Sequence, residues 1–544
     1  MQEIHEALPT EELSTKPAKK IWRRFWGGLA LFLLVALPAW VYFNFLRDIP
    51  LRISPRTTYL TEPLDEHGRF DYATALNARL LKGLPPEDNL FPLILQVLGV
   101  DATEWAEQLE LLEQQAPWLD FNSLPQKRRW ISLTEQANEV SSMEAILHMA
   151  THKVELDAYA EWQKKEEQIR QACQAPFRDE DFPWIAEHLR KQEPILRECF
   201  AFRERRGCEI PFILDRETYA ESFSSALGYQ NHLTVDLTAY AMWQLSRGET
   251  EIALDALHTA WHLCDQLITL PRMEIYWTIT SYRNEYVYPA LGCIAMHPSV
   301  TAEQKARFRR LIATSQSPDY EALQLTSRID TLEMLPQFTE VELMEIYSLG
   351  DWADNLGLTD YLGLKFDQNA ALSTLNDYLD RLEQLRQFQD PHERTLQREA
   401  AYNQFAIEAE QASLAQFAKL MLGGQRARGH FIARRMIAEW IGMQEFMDFA
   451  EDQRELETRR TLLLLLLAVG EYRDREGHYP AKLNDLVPEY FDEIPLDPYA
   501  NAPFRYEVDN QTLQIHSVGL NGNDDGGLLQ PEAGDDIAFG NKSP

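Results

Sequence analysis

The sequence predicts a mainly α-helical protein in three parts: an N-terminal transmembrane helix, a large body of helical hairpins, and a small α+β C-terminal domain. Three observations carry this. One uncharged apolar stretch near the N-terminus is long enough to cross a bilayer. From about residue 50 to 455, apolar residues recur at spacings of three and four, the period of an amphipathic helix. After about Glu455 the pattern becomes one apolar helix, then turn residues and short alternating segments, as a small sheet requires. The boundaries that follow are a tail over 1–24, a transmembrane helix over 25–46, a helical region over 50–455 and a C-terminal domain over 456–544.

The first part is the stretch "FWGGLALFLLVALPAWVYFNFL", Phe25 to Leu46, about 33 Å long as a helix. Lys16, Lys19, Lys20, Arg23 and Arg24 precede it and keep the tail in the cytoplasm, so the rest of the chain faces outward. Its length, and the lack of a small-x-small site after it, favour an uncleaved anchor over a signal peptide. Pro38 is tolerated in a membrane helix.

The second part is typified by Leu237 to Ile268, where two periodic runs flank Arg247-Gly248 and glycine allows a left-handed helix end. The result is a helical hairpin. In "SVTAEQKARF", Ser299 or Thr301 can cap the next helix, with Glu303 close behind. This region resembles large membrane-anchored proteins of planctomycetes and other Gram-negative bacteria, in Gly68 to Gly99 and in the hairpin followed by "HPSVTAEQKARFRRLI"; the resemblance implies no activity.

A chain of 544 residues exceeds one compact core, so two or more domains are expected. The net charge of −33 leaves no basic domain to neutralise phosphates and excludes nucleic acid as a partner. The five cysteines form no CxxC pair; Cys199 and Cys208 are near enough in sequence to join in an oxidising compartment, and Cys264 and Cys293 read as buried thiols. His148/His152 and His258/His262 are each four apart, on one helix face, but neither pair has the adjacent Glu of a zinc protease. No GxSxG, SxxK or P-loop occurs, and adjacent carboxylates such as Asp179-Glu180-Asp181 read as solvated charge runs. No catalytic residue is named, and an enzyme is not expected.

In the third part, "ELETRRTLLLLLLAVGEYRDREGHYP" predicts a helix ending near Gly477, its leucine run buried against a small sheet. A short helix is expected in "AKLNDLVPEYF". Asp497-Pro498 starts a turn, Phe504, Tyr506 and Val508 alternate, and Asp509-Asn510 makes a tight connection to Leu513 and Ile515. The chain then runs into "SVGLNGNDDGGLLQPEAGDDIAF", with five acidic side chains and five glycines.

The order helix, "GHYP", "LVPEYFDEIPLDPYANAPFRYE", "IHSVGLNG", acidic loop, "DDI" resembles the C-terminal globular domain of the major pseudopilin of type II secretion systems, over about Thr458 to Phe539. The resemblance implies a calcium-binding loop, with the Val518 carbonyl, the Asn521 side chain, Asp524 or Asp525, and the carboxylates of Asp535 and Asp536 as ligands. Calcium takes six to eight oxygens, carboxylates mixed with carbonyls. Asn521 replaces the family's Asp, and the loop is longer before Asp535. It further implies a bacterial inner-membrane protein with a periplasmic body, of structural or interaction type. Its partners would be a type II secretion or pilus-like apparatus, or other envelope proteins. The separation of the membrane helix from the pilin-like part excludes an ordinary pseudopilin. A periplasmic hydrolase with its site in the helical body, and a helical scaffold for envelope proteins, are the alternatives.

Overall fold

In the computed structural model, residues 16–65, 68, 70–100, 123–137, 155–212, 224–335, 365–385, 391–405, 414–438, 449–509, 512–527 and 536–540 are described. The chain is mainly helical. In order, the helices are α1 Lys16–Leu31, α2 Leu37–Val41, α3 Tyr72–Leu80, α4 Leu90–Leu98, α5 Leu133–Ala137, α6 Glu155–Gln174, α7 Pro183–Glu198, α8 Ser224–Ser246 and α9 Thr250–Leu267. They continue with α10 Met273–Tyr282, α11 Tyr288–Met296, α12 Ala302–Ala313, α13 Tyr320–Met334, α14 Gln368–Gln384, α15 Pro391–Phe405, α16 Leu414–Met436 and α17 Phe449–Glu476. The strands are β1 Leu496–Asp497, β2 Ala502–Pro503, β3 Arg505–Val508, β4 Leu513–Ser517 and β5 Ile537–Gly540. Two compact units result, each built from two stretches of chain: Met1–Thr61 with Leu332–Glu445, and Glu62–Thr331 with Phe446–Pro544.

In the smaller unit, Trp22–Leu46 is long and apolar enough to cross a membrane, and none of it is buried in protein. Pro38 has no N–H to give the Leu34 carbonyl, and the helix widens there into a π turn over Phe32–Ala36. The unit's core joins Leu375 and Tyr378 of α14 to Ile432, Ala433 and Met436 of α16.

The larger unit is organised around α8 and α9, the hairpin expected from the sequence. Gly248 turns it at φ 81°. α8 passes through the middle of the core, with Leu233 to Leu245 buried along every face. Thr301 starts α12 in a capping box: its Oγ1 accepts the Gln304 N–H (3.3 Å) and Gln304 Oε1 accepts the Thr301 N–H (2.8 Å), so Gln304 takes the partner role and Glu303 does not.

α17 is the element that joins the C-terminal sheet to this body. Leu462, Leu463, Leu465, Leu466 and Leu467 are all fully buried, packed against α11 and α12 as well as β4 and β5. At Gly470 the helices approach so closely that a Cβ would strike the Ala295 carbonyl. Beside it, the buried Lys305 Nζ reaches Asp474 (2.5 Å) and the buried Glu471 pairs with Arg309 (2.7 Å). The expected short helix after α17 is only a 3₁₀ turn, Leu483–Leu486, because Pro488 holds Val487 extended. The sheet is antiparallel in the order β3-β4-β5, with Arg505 opposite His516 and Ser517 opposite Ile537. Asp509 closes the β3–β4 hairpin, its N–H on the Thr512 carbonyl (2.9 Å) and its Oδ1 on the Thr512 N–H (2.7 Å).

Candidate metal centre

All five residues of β4 are buried. Side chains alternate across a strand, so Leu513 and Ile515 share one face, and Gln514 and His516 the other. The first pair joins the leucine run of α17 in the hydrophobic core. The second pair is covered by the chain itself, because the loop after Val518 folds back over it. Gln514 Nε2 donates to the carbonyls of Gly526 (3.3 Å) and Gly527 (3.4 Å). A Cβ at Gly527 would collide with Gln514, so the fold-back needs glycine there, at φ 75°.

This closure brings three metal-ligating side chains together. His516 Nε2 lies 3.0 Å from Asp524 Oδ1 and 3.9 Å from Asp536 Oδ2. One ligand atom from each residue falls within 4.8 Å of the others. Asp524 Oδ2 also accepts from Arg505 Nε (2.8 Å) on the neighbouring strand. Asp536 Oδ2 accepts the N–H groups of Gly527 (2.7 Å) and Asp525 (3.0 Å). Among the described residues its buried Oδ1 has no hydrogen-bond partner, and neither has Nδ1 of His516. The His516 hydrogen bond, more than any other neighbour, holds the Asp524 carboxyl below its ordinary range. Burial pushes the Asp536 carboxyl up, against the Gly527 N–H and the His516 ring.

Asp497 fixes the root of the loop. It is 1% exposed and fully used by hydrogen bonds: Oδ1 takes the Tyr499 N–H (3.0 Å) and the Ser517 hydroxyl (2.8 Å), and Oδ2 takes the Val518 N–H (3.1 Å). It thus pins the "LDPYANAP" turn to the first residue of the loop.

Of the five ligands implied by resemblance, Asp524 and Asp536 enter the cluster. Val518 is buried at the root of the loop with its N–H on Asp497. Asn521 works within the turn, Oδ1 accepting the Asn523 N–H (2.6 Å) and Nδ2 donating to Asp525 (3.0 Å). Asp535 lies outside the described residues. His516 was missed, although strand alternation puts it on the face that the acidic loop must cover. The donor set is one imidazole and two carboxylates, which suits zinc or another first-row transition ion. Calcium's six to eight oxygens are not assembled among the described residues.

The other sequence candidates differ in kind. His258 sits 3.2 Å from Arg307, and burial with the charges of Arg203 and Arg307 lowers its pKa to about 4. Asp255, the carboxylate beside it, is engaged by both arginines. His148 and His152 lie outside the described residues. Asp179 is more than part of a charge run, since it accepts the Trp243 indole N–H (2.7 Å). Cys199 and Cys208 are not joined; both are buried thiols, and burial pushes Cys208 up to about 12. One further polar group is wholly internal: Asp236 accepts from Trp130 Nε1 (3.0 Å) and the Leu133 N–H (3.0 Å) and lies 3.2 Å from His188 Nε2. His188 Nδ1 is taken by Gln136 (2.5 Å) and the ring is 4% exposed, so this pair ties α7 to α8 and, through Gln136, to α5. Compared with known proteins, the chain matches no family model, no curated protein and no solved structure.

Proposed function

We propose that the protein is a single-pass membrane-anchored protein of structural or binding type, whose C-terminal sheet is clamped by a divalent cation. The observation that carries this is the cluster of His516, Asp524 and Asp536, with a buried carboxylate oxygen on Asp536 that has no partner among the described residues. A cation there would tie β4, the loop and the start of β5 to one point. The chemistry it would supply is cross-linking of the strand to the loop through three protein ligands. The imidazole favours zinc or a similar ion, and calcium is the ion the family resemblance implies. Trp22–Leu46 supports the anchor. Association with a secretion or pilus-like apparatus rests on that resemblance alone.

The test uses the full-length protein in detergent, stripped by chelator, with zinc or calcium added back. An ion bound only by the folded state stabilises it by about 2.7 kcal/mol at a hundredfold excess over Kd. We expect zinc to raise the melting temperature of wild type and not of His516→Ala, and calcium to act more weakly. No shift with either ion would refute the metal clamp. Pull-down from solubilised membranes tests the partner; recovery of no secretion component would refute that association.

A further inference from the structure

The last carbonyls of a helix have no partner within it, and at a bilayer they must find one. For the N-terminal apolar helix that partner is α16. Gln425 Nε2 donates to the carbonyls of Arg47 (2.7 Å) and Phe43 (3.5 Å). Arg428, fully buried, donates to the Asn44 carbonyl and, from Nε, to that of Lys365 (2.9 Å). Its guanidinium stacks 4.9 Å from the centre of the Phe45 ring. α16 kinks at Gly424, φ 71°, where a Cβ would strike the Asn44 side chain. The next residues are held as firmly. Asp48 pairs with Lys365 (2.5 Å), the Arg52 N–H donates to Asn369 Oδ1 (2.7 Å), and Asn376 Nδ2 donates to the Thr57 carbonyl (3.0 Å). No free tether separates the helix from its unit, so the kink of α16 is fixed where the helix leaves the hydrocarbon.

Two features gather at that level. Arg47, Arg52, Arg56 and Arg426 are all exposed there, in a chain of net charge −33. The stretch leading into the kink, Leu414 to Gly423, reads LAQFAKLMLG with Lys419 as its one charge. Leu422, beside the Asn44 contact, is 73% exposed. A leucine this exposed is costly in water and favourable at a lipid boundary.

We propose that the smaller unit docks on the leaflet surrounding its own anchor. Leu422 lies in the boundary between headgroups and acyl chains, and Arg47, Arg52, Arg56 and Arg426 bind phosphates of anionic phospholipid. The occupant follows from continuity, since the same residues that cap the membrane helix fix this surface beside it. The inference rests on the reading of Trp22–Leu46 as a membrane span.

The test places a bimane label on Leu422→Cys in the full-length chain with Cys293→Ser. The protein is incorporated into nanodiscs of phosphatidylcholine, with or without phosphatidylglycerol, carrying a shallow doxyl-labelled lipid. We expect co-elution with the discs, at least a halving of bimane emission by the doxyl lipid in anionic discs, and weaker quenching in the Arg52→Glu/Arg426→Glu double variant at equal incorporation. Failure to enter discs would overturn the span and the docking together. Entry with emission quenched only by aqueous iodide would overturn the docking alone. Quenching indifferent to lipid charge and to the double variant would overturn the phosphate contacts.

Discussion

Asp536 meets two opposed demands: two backbone N–H groups favour its charge, and burial disfavours it, with burial the larger. A carboxyl whose folded pKa is raised adds stability below its unfolded pKa, and loses that contribution as pH rises through the folded pKa. Asp536→Asn keeps the neutral shape at every pH. In chelator, we therefore expect this variant to melt above wild type at neutral pH, with the gap closing as pH falls through the raised folded pKa and largely gone by about pH 4. A gap that widens on acidification would refute the argument. With zinc the order reverses, because only the ionised carboxylate binds metal. At this scale Asp524 and Asp536 were legible through the family resemblance, which implies them as ligands of the loop. His516 was not, because a histidine inside "LQIHS" looks like an outward strand residue until the loop is known to cover that face.

Among elements, α17 is constrained by packing on two sides. Its leucine run contacts helices on one side and strands on the other, which explains why apolar residues occupy positions all round it. Gly470 marks where it passes the Ala295 carbonyl, a backbone atom that cannot swing aside. Gly470→Ala should destabilise the larger unit by about 1–3 kcal/mol, the usual cost of overpacking. Urea melts followed by tryptophan fluorescence measure it, and an unchanged midpoint would refute the close approach. The helical period, the glycine turn at Gly248 and the Thr301 cap were legible because each depends on neighbours in sequence. The burial of the leucine run was legible, but its helical partners were not, since α11 and α12 lie well over a hundred residues earlier. The short helix expected after α17 failed locally, at Pro488.

At the scale of the molecule, each unit is closed by a later return of the chain. The sequence pattern changes near residue 455 and invites reading the remainder as separable. The core says otherwise, because α17 shares it with α8, α9 and α11. A fragment of residues 449–544 should therefore lack a cooperative melt by near-UV circular dichroism, with or without metal; a sharp transition in the isolated fragment would refute this. The cap on the N-terminal helix has a counterpart in time. Arg47 and the Gln425 that seals it are 378 residues apart. At synthesis rates of about 5–20 residues per second, roughly 20–75 s pass before Gln425 is made. During that interval the nascent chain holds an apolar helix with raw carbonyls at one end. A co-translational chaperone or insertion factor has a window there, and a chain stalled before Gln425 would leave the helix uncapped.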